Sequence, residues 1–476
     1  MNLTTKHTSF IIIYLSLLML TLLGCGSSKE SEKTGYIQFY NASENSPTLY
    51  LSLENSIKKV TPFTVPYSKS SGRYESKEGI YDLDLSWKDD DGQFHSVYQG
   101  KITIVPKQIQ FLVISGDITS PTITNYPNLE DNPDKEDKKF TLSLLNLSSI
   151  TQPLSLHYSK SNESFNEAIL FRQFNAAELS TNQHIELDTY IFYITLADSN
   201  EVLFKSKAIK YAYTTQYIMV VRNNNGPGSS PFIIDQTSNS KISTSFTHSN
   251  SIAQFQVYNG IQQDDLLIDY NGIFDLHFNG IKNSADISSL SSGYFSTPIT
   301  SNFGDYSIDL THPNSQDIFA KNHLLTLGPN SDKSVFFYLS KTTKTNSDGD
   351  DITSVHINSL VNDNNNNDGK LKHQVQLINL INNFSAVRVY FVRNNETIDT
   401  AALSSSLSFA QSDTLSLLNN TYSVYVIGYK NNTDLILASA GIVVDEQSKN
   451  QYIILETDDL SASGYKITFL QQRIKS

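Results

Sequence analysis

Among the side chains able to do chemistry are ten histidines, one cysteine, one tryptophan and 48 carboxylates, and their spacing limits what that chemistry can be. The histidines (His7, His95, His157, His184, His248, His277, His312, His323, His356 and His373) are scattered. None forms the His-x-x-x-His or His-Glu-x-x-His pattern that sets two imidazoles on one helical face for a metal. Neither the Gly-x-Ser-x-Gly turn of a strained nucleophile nor a Gly-x-x-x-x-Gly-Lys phosphate loop is present. Asp82 and Asp84 share the outward side of an alternating strand, where hydration accounts for them. Residues 362–369 come closer to a metal site. Asn364, Asn366 and Asp368 alternate as calcium-loop ligands do and Gly369 falls sixth, yet Val375 stands twelfth, where a bidentate glutamate is required. Trp87 continues the parity of Tyr81, Leu83 and Leu85, which puts it on a core face rather than on a sugar-stacking platform. These spacings assign no catalytic residue, no metal and no cofactor.

The cysteine, Cys25, is differently placed. Residues 10–23 form an apolar run of fourteen, after Lys6 and His7, and Cys25 follows directly on Leu22-Leu23-Gly24. Fourteen residues suit the core of a signal peptide and are short for a spanning helix. This stretch resembles the bacterial lipoprotein signal, in which the cysteine thiol receives a diacylglycerol and the chain is cut before it. The resemblance implies a signal peptide over 1–24, lipidation at Cys25 and a polar tether over 25–33. With Gly26 rather than aspartate after the cysteine, it implies the outer membrane, the chain facing the periplasm or the surface. With no second cysteine, no intrachain disulfide and no cysteine-based zinc site can form, so the fold depends on hydrophobic cores.

The elements beyond the signal repeat. Tyr36-Ile37-Gln38-Phe39-Tyr40-Asn41 is an alternating strand ending in asparagine, and it recurs with Asn146, Asn259 and Asn379, spaced 105, 113 and 120 residues apart. A tyrosine follows each asparagine by 40 to 47 residues (Tyr81, Tyr190, Tyr306, Tyr422), two positions after Gly, Asp or Asn. Next comes a short, nearly continuous apolar run, such as Phe111-Leu112-Val113-Ile114 or Tyr452-Ile453-Ile454-Leu455, which reads as a central strand. Strand parity points the asparagine inward, where its amide can lock the following turn, and starts a core stripe at the tyrosine, whose hydroxyl can reach backbone. The opening of the first copy, Asn41-Ala42-Ser43 followed by Pro47 and the strand Leu49-Tyr50-Leu51-Ser52-Leu53, resembles the bacterial "domain of unknown function 4397" family over about eighteen residues. The resemblance implies exported β-sandwiches and adds architecture more than activity. The other three copies lack the Ala-Ser-Pro signature.

Short strands between Gly, Asn, Ser and Pro turns, without helical period, predict an all-β chain of four tandem antiparallel, Ig-like β-sandwich domains at 34–127, 138–237, 252–361 and 373–472. Polar linkers are expected at 128–139, 238–251 and 362–372. A net charge of −13, from 35 basic and 48 acidic residues, argues against nucleic acid as a partner. The expectation is a non-enzymatic, lipid-anchored envelope protein serving as a binding or structural module, with membrane, envelope protein or glycan as partners. A carbohydrate-binding or adhesin-like surface lipoprotein is the first alternative. A hydrolase with a site assembled in the third repeat is the second.

Overall fold

The computed structural model describes residues 33–131, 135–240, 243–282, 284–364 and 367–472; Cys25 and the apolar run before it lie outside the described residues. The described chain is four tandem β-sandwich modules. In the first, one sheet contains, in order, Tyr74–Lys77, Thr34–Asn41, Gln108–Ser115 and Thr122–Leu129. The facing sheet contains Lys59–Val65, Leu49–Glu54, Gly79–Lys88 and Phe94–Ile104. Counting strands along the module, the order is 4-1-7-8 in the opening sheet and 3-2-5-6 in the second, and the third and fourth modules repeat it strand for strand. Among the described residues, pairing between strands is antiparallel with one exception per module. The first and seventh strands run parallel, because the chain crosses to the second sheet and back between them.

The second module departs at two edges. Its sixth strand is two short pieces, Phe204–Lys205 and Ile209–Lys210, both paired with Thr189–Leu196. Beyond its eighth strand, Phe232–Thr237, lies Thr244–Phe246. The 238–251 stretch, a linker by composition, therefore supplies a strand that covers an open sheet edge. At the other joints strands extend to Leu129 and Asp363, and the fourth module begins at Lys372.

Each module has its own core. In the first, Ile37 and Phe39 of the opening strand meet Leu51, Leu83 and Leu85 of the second sheet. The opening sheets are apolar on their other faces too. Leu112 and Ile114 enter the core, while Phe111 and Val113 turn outward and pack with Tyr40 and Tyr126 against Leu145, Ile218 and Val220 of the second module. Tyr258 and Phe336 of the third module meet Ile378, Leu380, Tyr452 and Ile454 of the fourth in the same way. The chain is thus two units, modules one with two and three with four, each stacked through its opening sheets. Burial on both sides is what makes the seventh strands continuously apolar instead of alternating.

The units also touch each other. Arg393 of the fourth module forks onto Asp91 of the first with both nitrogens at 3.0 Å, and Lys372 lies 2.9 Å from Asp90 with its ammonium over the Trp87 ring. On the other side, Asn330 of the third module accepts from the Gly228 amide at 2.7 Å and donates to Asn224 of the second at 2.8 Å. Contacts one–two, two–three, three–four and four–one close a cycle of modules.

Candidate functional site

The turns that leave the opening strands gather at one end of the first unit, and the cycle folds residues 367–371 over them. Between them lies a cavity of about 720 Å³. Its walls come from Glu44 and Asn45, from Ser115 to Asp117, from Arg222 to Asn225, and from Asn367, Asp368, Lys370 and Lys449. Modules one, two and four and the segment joining three to four all contribute.

One wall is a buried charge cluster. The Asp235 side chain is fully buried, and it accepts from Arg222 Nε at 2.6 Å and from the Tyr40 hydroxyl at 2.6 Å. Arg222 Nη1 donates to the Tyr67 hydroxyl at 3.3 Å, and the guanidinium stands 5.3 Å over that ring. Burial works against the guanidinium charge, but Asp235 and the two tyrosines more than offset it, leaving Arg222 raised. Burial likewise pushes the Tyr67 hydroxyl up to about 12, so it remains protonated at neutral pH. The opposite wall is softer. Lys449 lies 2.9 Å from Asp368, Lys370 donates to the Glu446 carbonyl at 3.2 Å, and Asn225 reaches Asn367 at 2.7 Å. The Asp117 carboxylate is held below its ordinary range by the backbone amide and hydroxyl of Thr119. The lining therefore offers charges of both signs and several amides, with Ala42 and Leu147 as its aliphatic members.

The repeated residues lie elsewhere, and all four copies behave alike. Asn41, Asn146, Asn259 and Asn379 are buried facing the cores. Each side-chain oxygen accepts from the backbone amide two residues on, at Ser43, Ser148, Ile261 and Ile381, at 2.9–3.1 Å. The amide nitrogens of Asn41, Asn259 and Asn379 donate to third-strand carbonyls at Val65, Leu290 and Leu407, and that of Asn146 donates to the Ile150 carbonyl within its own turn. The hydroxyls of Tyr81, Tyr190, Tyr306 and Tyr422 all donate to the carbonyl four residues back, at Lys77, Glu186, Asn302 and Leu418, at 2.8–3.1 Å. Both sets pin turns by satisfying buried polar atoms. Neither enters the cavity.

In the third module, Asp275, His277 and Asp309 are buried on adjacent strands. The Asp275 oxygens accept from the Ser289 and Asn314 amides at 2.6 and 2.9 Å, and Asp309 accepts from the Asn322 amide at 2.8 Å. His277 is engaged by Thr311. These carboxylates hold bulges and turns. Among the described residues no three His, Cys, Asp or Glu side chains are grouped to hold a metal. Of the calcium-like stretch, Asn364 serves Ser334 and Asp332 and Asp368 accepts from the Asn450 amide, while Asn366 lies outside the described residues. Trp87 is half-buried, stacked on His95 at 4.7 Å and packed against the first core.

Of the residues singled out by sequence, the cavity gathers Asp368 alone. Its other members sit at strand ends, as Ser115 and Arg222 do, or in the turns that follow, as Asn224 and Asn225 do, and turn composition announces a loop but not what faces it.

No family model matches the chain, and no curated protein matches it. Among solved structures it is similar to the Bacillus anthracis TIE protein, at 8% identity over 90% of this chain and 76% of that one, with a TM-score of 0.15. It is also similar to the pilus adhesin SpaC from Lactobacillus rhamnosus GG, at 8% identity over 92% of this chain and 42% of that one, with a TM-score of 0.10. Superpositions this loose assign no function, and the sandwich fold stands on its own sheets.

Proposed function

We propose that this chain is a non-enzymatic, lipid-anchored protein of the cell envelope that binds its ligand in the cavity where the modules meet. The observation that carries the reading is that loops from three modules and a joining segment converge on one polar chamber. Its volume falls within the roughly 300–1,000 Å³ of small-molecule sites. Its walls are held by the Arg222–Asp235–Tyr40 cluster, so the site is organised before a ligand arrives. Lipidation at Cys25, proposed from the lipoprotein signal, would place the chamber close to the envelope surface, with several acyl chains as anchor.

Two measurements test this. Cys25→Ser should move the protein from the membrane to the soluble fraction, and a protein that stays bound sinks the anchor. A photo-crosslinking side chain at Glu44, on the chamber rim, should capture a specific partner or ligand in cells. The same probe at Ser406, an exposed position on the fourth module, should not. Identical capture profiles from the two positions would reject the chamber as the binding site.

A further inference from the structure

The parallel pairs give the two units a common register. Asn41 sits beside Ile114 as Asn259 sits beside Phe337, and Asn146 beside Val221 as Asn379 beside Leu455. The residues one, three and four past the asparagine of the first module, Ala42, Glu44 and Asn45, line the chamber. Their counterparts in the third module, Gly260, Gln262 and Gln263, line a second cavity of about 530 Å³. From the even modules, Leu147 corresponds to Leu380 and Asn225 to Asp459, and each lines its own cavity. A pocket has formed at the same address in both units, although the two differ in nearly every side chain.

The chemistry is also held in common. Each cavity has a lysine paired with an aspartate, Lys449 with Asp368 and Lys341 with Asp264. Each has side-chain amides on the turns, and each has an aromatic wall, Tyr67 in one and the edge-to-face pair Tyr338 and Phe409 in the other. Gly260 marks the floor of the second. A Cβ there would fall 2.8 Å from the Phe337 carbonyl oxygen and 2.6 Å from Leu380, so the modules approach more closely than a side chain would allow.

We propose that these two cavities are equivalent seats for short, neutral oligosaccharides, so that a single chain carries two. The proposal rests on the reading of the chamber as a binding site. An anion entering the chamber would face Glu44, Asp117 and Asp368, and a cation would face Arg222, Lys370 and Lys449. A lipid would find little aliphatic surface. A hydroxyl both donates and accepts, so a polyol can use amides, carboxylates and ammonium groups together, with sugar C–H faces against the aromatic wall.

The test uses the mature full chain with maltotriose, cellotriose and chitotriose as probes, read by saturation-transfer NMR and calorimetry. Glu44→Trp and Gln263→Trp fill the seats at exposed lining positions, and thermal melts check folding. The proposal expects at least one probe to bind at two per chain, each variant to halve that number and the double variant to abolish binding. On a surface bearing the same trisaccharide, either single variant should lose at least about tenfold in apparent affinity, because the second contact is then intramolecular no longer. Saturation at one per chain, lost in Glu44→Trp alone, overturns the second seat while leaving the chamber. Binding by none of the probes overturns the saccharide class, and capture by the Glu44 photo-probe would then show whether the chamber still binds something else. Binding insensitive to both variants overturns both readings.

Discussion

The two units use one anchor and two different electrostatic solutions. In each, the residue before the first asparagine is a tyrosine reaching into the partner module: Tyr40 to Asp235 at 2.6 Å and Tyr258 to Glu456 at 2.8 Å. The register shows that the acids are not equivalent. Glu456 occupies the place of Arg222, and Thr468 the place of Asp235. In the first unit the acid sits on the eighth strand with a buried guanidinium beside it. In the second the acid has moved to the seventh strand, and its companions are the Thr468 hydroxyl at 3.0 Å and the Lys466 ammonium at 3.8 Å. A buried tyrosine hydroxyl needs an acceptor, and either strand can supply it. What differs is whether the acceptor's charge is matched where it stands.

The largest effect expected from that difference is on Arg222→Met. It strands Asp235 in a fully buried position with only neutral donors, a loss of about 3–5 kcal/mol. Hydrogen exchange should show modules one and two destabilised and three and four unchanged. Arg222→Met with Asp235→Leu and Tyr40→Phe, which leaves no buried hydroxyl without its acceptor, should recover much of the loss. Equal destabilisation of both units would show that the stacked pairs do not act separately.

A control common to both units comes next. Asn41→Ala and Asn379→Ala each leave an unpaired backbone amide and an unpaired carbonyl in a buried turn, costing about 1–3 kcal/mol. The cost should be similar in the two units, because both asparagines make the same two kinds of backbone bond, with Asn41→Ala the costlier by what its added contact to the Ser46 hydroxyl contributes. Denaturant unfolding monitored separately in each unit checks this, and a large disparity would mean that module stacking reaches into the turns.

The repeated fold was legible in the sequence because its signals are local. Period-two alternation placed Ile37 and Phe39 inward and the asparagine with them, and turn residues marked the strand ends. The continuous apolar runs are visible too; by themselves they predict central strands, and the structure shows that they also signal a second buried face. Tyr40, Gln38 and Phe111 look surface-directed to a single module and are covered only by its neighbour. The parallel first–seventh pairing and the strand at Thr244–Phe246 depend on contacts between distant segments, which no local period records. The cavity was least legible, since its residues come from loops brought together by the cycle of modules.

The comparison can be sharpened with pH. Burial pushes the Glu456 carboxyl above its ordinary value, and Lys466 only partly opposes this. For an acid raised in the folded state, the folded chain holds the proton over a range where the unfolded chain has lost it. The contribution of Glu456 to the stability of the second unit should therefore be full at and below the ordinary carboxylate value, fall as pH rises from there to the folded value, by at most about 1.4 kcal/mol per pH unit, and be level above it. Glu456→Gln should remove that slope while leaving the Tyr258 contact an acceptor. A slope that survives the substitution would assign it to another group.

The smallest effect concerns the contact that joins the units. Asp91 is half-exposed, and its bidentate partner Arg393 is held equally by Glu396 at 2.7 Å, which stays depressed to about 2 mainly through its hydrogen bond to Arg393. Removing Asp91 therefore strands no buried charge, and Asp91→Ala should cost less than about 1 kcal/mol. The cycle does not rest on that pair, because Lys372 still meets Asp90 and Leu371 still packs on the first core. Small-angle scattering of Asp91→Ala should match the unaltered chain, whereas Asp91→Ala with Lys372→Ala should extend it if these ion pairs close the cycle. An unchanged profile in the double variant would assign closure to the apolar contact at Leu371 and to the Lys370 amide bonded to the Asn45 carbonyl at 3.2 Å. The chamber would then be held by backbone rather than by charge.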